Sequence, residues 1–164
     1  MQANLKMTNK IQILVLRILG NEDIPLPSYA SSGAAAVDLY AAIKKTLKLE
    51  SNERTLIPTG IKLMLPDGYE GQIRPRSGIA LKHGVTVLNS PGTIDPDYRG
   101  EIGVLLINHG NQPYQISRGD RIAQLIVAPL AQLDYKIVNS LPETGRGEYG
   151  FGSTGMNINI YEDQ

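Results

Sequence analysis

Short runs of β-branched residues, cut at close intervals by glycine and proline, constrain this chain most. Seventeen Gly and ten Pro are spread through 164 residues. Between them lie Ile11–Leu19, Leu56–Leu65, Gly71–Arg74, Glu101–Asn108, Arg121–Leu130 and Lys136–Val138. Runs of this length and spacing predict an all-β barrel or sandwich. No stretch carries helical periodicity long enough for βαβ units. The one helix expected is short, Gly78–His83, with Ser77 as N-cap and Gly84 at its C-terminal end. Pro58-Thr-Gly, Pro66-Asp-Gly and Arg118-Gly-Asp mark turns. The length fits one domain. Residues 1–10 read as a polar, poorly anchored N-terminus, and 11–141 as the β domain. The segment 142–164 reads as a C-terminal arm, because Gly145, Gly147, Gly150, Gly152 and Gly155 leave it little apolar surface to bury.

Composition removes several classes of function. Sixteen basic and sixteen acidic side chains give zero formal net charge, so neither a nucleic-acid sheath nor a membrane-surface patch is expected. A small anion remains open, since a few placed arginines bind one. With no cysteine, disulfides, thiolate catalysis and Cys/His zinc deaminase sites are excluded. The two histidines, His83 and His109, each adjoin a Gly and read as turn or surface residues. Ile13–Leu16 is interrupted by Arg17 and is too short for a signal peptide, so a cytoplasmic location is expected.

Five segments could carry chemistry, and each also has a plain structural reading. In Pro75-Arg-Ser-Gly-Ile-Ala, the first helical turn offers unpaired N–H groups and Arg76 a fork of donors for phosphate; equally, it is a capped helix with a surface Arg. In Leu88–Gly100, a hairpin at Asn89–Ile94 could read a base edge with its backbone. Asp95 beyond it could act as a general base, although Asp95 and Asp97 around Pro96 are also ordinary turn formers. In Gly119-Asp-Arg-Ile-Ala-Gln-Leu, Gln124 either meets phosphate or faces solvent. Asp38, inside Ala35–Ala42, either ends a strand or faces a hydrated magnesium through water. Gly145–Gly155 spells part of two nucleotide-binding motifs but leaves no room for a βαβ unit and lacks the Lys of a phosphate loop. Its glycines still expose backbone N–H groups suited to phosphate, with Arg146, Ser153 and Thr154 as further donors and Phe151 available to stack on a base.

In conjunction and in this order the five segments resemble the motifs of the trimeric dUTP pyrophosphatase family, from about Ile11 to Gly155. The most specific stretches are Arg76-Ser-Gly, Ile94-Asp-Pro-Asp-Tyr-Arg-Gly and Arg146-Gly through Phe151-Gly-Ser-Thr-Gly. The resemblance implies a jelly-roll β-sandwich in a homotrimer, each active site at a subunit interface and closed by the arm of a further subunit. It implies hydrolysis of dUTP to dUMP and pyrophosphate, with Asp95 deprotonating a water that attacks the α-phosphorus in line. Asn89, Gly92, Thr93 and Ile94 would hold uracil, Tyr98 the deoxyribose, and Phe151 would stack over the base. Arg76, Ser77, Gly78, Gln124, Arg146, Gly152, Ser153 and Thr154 would bind the phosphates. Asp38 would face, through water, the Mg2+ carried in by the triphosphate. Ala36, Thr93 and Tyr149 depart from the family's usual residues at their positions.

The chemistry is coherent on its own terms. A triphosphate needs its charge neutralised and its attacking water held by a base. A fixed backbone edge that fits the N3–H and O4 of uracil leaves unpaired groups facing cytosine. Two rivals follow. A dCTP deaminase of the same fold would carry Arg-Ser-Ser where this chain has Arg76-Ser77-Gly78. A non-catalytic trimer that binds nucleotides would be expected to have lost Asp95, Arg76 or Arg146.

Overall fold

The computed structural model describes residues 10–149. Phe151, Gly152, Ser153, Thr154 and nearly all of the 1–10 segment lie outside the described residues. Ten strands and one helix follow in order: β1 Leu14–Arg17, β2 Val37–Tyr40, β3 Leu47–Leu49, β4 Arg54–Met64, β5 Tyr69–Arg74, α1 Ser77–His83, β6 Val85–Val87, β7 Gly92–Ile94, β8 Glu101–Asn108, β9 Tyr114–Ile116 and β10 Arg121–Pro129. Two antiparallel four-stranded sheets, β1-β4-β8-β6 and β2-β10-β5-β7, face one another, and β3 and β9 form a two-stranded ribbon. The expected all-β class is borne out, in a jelly-roll-like sandwich.

Alternation of side chains builds the core. Along β8, Ile102, Val104, Leu106 and Asn108 are buried, while Glu101, Gly103, Leu105 and Ile107 turn to the other face. Across from them, Leu39, Ile73, Ile122 and Leu125 of the second sheet join the same cluster. Each such side chain contributes about 1.5–3 kcal/mol on burial. Asn108, the one fully buried side-chain amide among the described residues, donates to the carbonyls of Leu49 at 3.0 Å and Gln112 at 2.8 Å and accepts from the Gly110 N–H at 2.8 Å. Its polar atoms are therefore satisfied, and they fix the loop after β8. Arg118 ties down the loop before β2: Nε and Nη2 meet the two carboxylate oxygens of Asp23 at 2.8 and 2.6 Å, and Nη2 also reaches the Gly20 carbonyl at 3.0 Å.

Three expectations need correction. The helix begins at Ser77, not Gly78, and its N-cap is Arg76, held extended at φ −92° and ψ 124° with no side-chain cap bond. Ser77 is thus the first helical residue, displaced inward by one position. The Asn89–Ile94 segment is not a hairpin. β6 pairs with β8 and β7 with β5, so residues 88–91 carry the chain from one sheet to the other. Lys136–Val138 is not a strand; it has no pairing partner among the described residues.

Contacts divide the chain into a unit ending at Ala131 and a second beginning at Gln132. The described part of the second is exposed throughout, including Leu133, Tyr135, Ile137 and Leu141. A turn at its end is closed by Gly147 N–H to the Thr144 carbonyl at 3.0 Å and by Arg146 Nε to the Tyr149 carbonyl at 2.8 Å. Among the described residues no helix is long and apolar enough to cross a membrane.

Gly84 ends α1 as expected, at φ +67°, with its N–H on the Ala80 carbonyl. A Cβ there would also lie 2.6 Å from the Gly110 backbone nitrogen. Gly84→Ala should therefore destabilise the fold by about 1–3 kcal/mol or more, read as a lowered midpoint in thermal or urea unfolding.

Candidate active site

Apart from Arg146, the expected site residues that the structure describes fall into two groups, carried by the sheet β2-β10-β5-β7 and the segments that adjoin its strands. The first group follows from strand register. Asp38 of β2, Gln124 of β10 and Arg74 of β5 stand side by side across three strands. The Asp38 side chain is 8% exposed and accepts from Arg76 Nε at 3.1 Å through one oxygen and from Arg121 Nη1 at 3.3 Å through the other. Gln124 Nε2 stands 3.5 Å from the first oxygen, the outer limit of a hydrogen bond. Arg76 Nη1 also donates to the Arg121 carbonyl at 3.0 Å. The ion-paired trio Asp38, Arg76 and Arg121 carries one net positive charge, two guanidinium groups against one carboxylate. Ser77 and Gly78 open α1 immediately after Arg76 and are exposed.

Arg121 was missed as a site residue, and the reason is structural. Strict alternation along β10 sends Arg121 and Gln124 to opposite faces. A β-bulge between Arg121 and Ala123 inserts one residue, leaving Ile122 and Ala123 both buried and Arg121 opposite Tyr40. The bulge turns Arg121 onto the face that carries Asp38 and Gln124. Consecutive apolar residues between two polar ones, Arg-Ile-Ala-Gln, were the available signal.

The second group is a cleft of about 240 Å3 lined by Leu56, Thr93, Ile94, Asp95, Tyr98, Glu101 and Gly103. β7 lies at the edge of its sheet, paired with β5 on one side only. Backbone groups on its outer side are thus available to a ligand. Asn89 packs over the start of β7, where a Cβ on Gly92 would lie 3.1 Å from its Nδ2. Asp95 is exposed at the end of β7, beside the cleft. The Tyr98 hydroxyl donates to the Glu101 carbonyl at 3.0 Å, and the ring lies so close over Gly100 that a side chain there would overlap it.

The structure does not bring these two groups together within one chain. β5 and β7 run antiparallel, with Gly71 opposite Ile94 and Ile73 opposite Gly92. Arg76 leaves the pair at the Gly92 end and Asp95 at the other. Arg74 and the level of Asp95 are four residues apart along β5, roughly 13 Å. Arg146 lies in the second unit of the chain.

No three His, Cys, Asp or Glu side chains among the described residues converge to hold a metal. Asp38, with both oxygens engaged by guanidinium groups, fits a magnesium ion held by phosphates and met through water, not one bound directly by the chain.

An exposed carboxylate in a cleft beside an edge strand, and a guanidinium pair elsewhere on the same sheet, are groups that a β-sandwich enzyme acting on a phosphorylated ligand can use. The model of the dUTPase family matches residues 22–155. The chain is similar to the deoxyuridine 5'-triphosphate nucleotidohydrolase of Beijerinckia indica, 58% identical over 146 residues that cover 88% of this chain and 91% of that one. It is 54% identical to the protein of the same name from Wolbachia pipientis wMel, covering 90% of this chain and 97% of that one. Among solved structures it resembles the Staphylococcus bacteriophage 80alpha dUTPase with dUPNHPP, with a TM-score of 0.79, 26% identity, and 88% and 99% of the two chains covered. The chain belongs to the dUTPase family. It is an enzyme, and its reaction is the hydrolysis of dUTP.

The contact between Tyr98 and Gly100 gives a direct check. In Gly100→Ala the new methyl meets the far end of a side chain that can swing away, so stability should change little. The ring should leave the cleft, and steady-state kinetics should show KM for dUTP raised severalfold.

Proposed function

We propose that the chain converts dUTP to dUMP and pyrophosphate at sites assembled between copies of itself. The observation that carries this reading is the separation of Asp95 and Arg76, which leave opposite ends of the β5–β7 pair with the edge of β7 between them. A neighbouring copy supplies to each cleft the half that its own chain holds elsewhere. In support, the outward face of β1-β4-β8-β6 presents Leu14, Leu16, Leu56 and Met64, each more than 40% exposed. An apolar sheet face of this kind is suited to burial against another subunit, here in a homotrimer. Segment 142–164 of a further copy closes over the site, Arg146, Gly152, Ser153 and Thr154 on the phosphates and Phe151 over the base.

Within the cleft, the edge of β7 pairs with uracil through Gly92, Thr93 and Ile94, with Asn89 holding the turn. Tyr98, pinned by Glu101 and packed on Gly100, fills the space a ribose 2′-OH would need. Asp95 accepts a proton from water as the oxygen attacks the α-phosphorus, and pyrophosphate leaves opposite. Arg76, Ser77, Gly78 and Gln124 hold the phosphates in line. Asp38 would face, through water, a magnesium ion carried by the triphosphate, which when bound would neutralise phosphate charge. The reaction needs neither nucleic acid nor a membrane, and a cytoplasmic setting suits it.

Purified protein given magnesium and dUTP, dCTP, dTTP or UTP should form dUMP and pyrophosphate from dUTP alone, resolved by ion-exchange chromatography. Asp95→Asn should lower kcat by about 10²–10⁴ while retaining binding. Deamination of dCTP, or dUTP binding without turnover, would overturn this reading. Light scattering should give three times the 17.9 kDa chain mass. Leu16→Asp combined with Met64→Asp should reduce the mass to one chain and abolish turnover together.

A further inference from the structure

We infer that Arg121 is a positioning residue that keeps Arg76 open to phosphate, by sharing the carboxylate of Asp38 and by holding the Arg76 guanidinium on its carbonyl. The inference rests on the phosphate role proposed above for Arg76. A lone Arg76–Asp38 pair would be closed: the guanidinium would be neutralised by a carboxylate it already grips, and an incoming phosphate would have to displace a largely buried acid. Arg121 changes that balance in two ways. Its side chain takes the second oxygen of Asp38, so the acid is shared and the cluster keeps one net positive charge. Its carbonyl accepts from Arg76 Nη1 at 3.0 Å and fixes the plane of that guanidinium. Two of Arg76's five N–H groups are thus spent on orientation, and three are left for a ligand. The carbonyl survives any substitution, so replacing Arg121 tests the charge alone. The side chain is 51% exposed, and its loss leaves the core untouched.

The test is binding of the imido analogue of dUTP in EDTA, where magnesium plays no part, by calorimetry, with deoxyuridine titrated by NMR as the phosphate-free control and thermal melts as the check of folding. Arg121→Gln should weaken the analogue about ten-fold and leave deoxyuridine unchanged. Arg121→Lys should recover part of the loss. Asp38→Asn added to Arg121→Gln restores the net charge of the cluster and should return affinity to within about three-fold of the parent. Structural damage would add to the first loss instead of reversing it. Unchanged affinity in Arg121→Gln, or a double variant no tighter than the single one, overturns the inference. Arg76→Gln in the same assay separates the two layers. If it loses affinity while Arg121→Gln does not, only the inference falls; if it too binds normally, the phosphate role of Arg76 falls and takes the inference with it.

Discussion

The hydrogen-bonded ladders on the two sides of β10 are the constraint on which the rest of the site depends. β2 lies along one side and β5 along the other, and both registers are set by backbone pairing. Because side chains alternate with a period of two, a slip of one residue on either side would send Asp38, Gln124 or Arg74 to the opposite face. Arg76 leaves the end of β5 and reaches Asp38 only because β5 is held in this register. β7, in turn, is placed by β5. The position of the whole site thus traces to pairings made by main-chain atoms, with Ile73, Ile122 and Leu125 anchoring the buried side of the sheet.

The polar groups of the molecule sit in different surroundings, and the proposed roles follow those surroundings. Asp38 is an acid surrounded by donors, which suits an organiser. Asp95 is exposed beside a cleft, which suits an acid that must exchange a proton with bound water. Asn108 and Arg118 act far from both, one closing the loop after β8 and the other bridging 95 residues of sequence to Asp23. The Arg118–Asp23 contact is exposed and holds the Asp23 carboxyl below its usual range, chiefly through the guanidinium hydrogen bond.

Much of this was legible in the chain itself. The longer strands were visible as β-branched runs, because burial on one face demands them, and Gly84 was visible as a helix end because the conformation there favours glycine. The partners of β6 and β7 were not. Two short strands separated by a turn look like a hairpin, and only long-range pairing shows that they serve different sheets. Arg121 was hidden for a related reason: a bulge is a property of two strands, and the one trace of it in the chain, two apolar residues in a row between Arg121 and Gln124, shows a break in alternation without showing which side chain it turns. Lys136–Val138 has strand-forming residues but no edge to pair with among the described residues, and β-propensity without a partner does not make a strand.

The cleft has walls from both layers of the sandwich. Leu56, Glu101 and Gly103 come from β4 and β8, and Thr93 and Ile94 from β7 of the opposite sheet. Glu101 and Gly103 reach the cleft from the side of β8 that faces away from Ile102 and Val104, so it opens outside the core while both layers contribute to its wall. A cavity walled by two layers keeps its shape only while neither sheet slides on the other, so the close packing between them acts as a lock on a surface it never reaches.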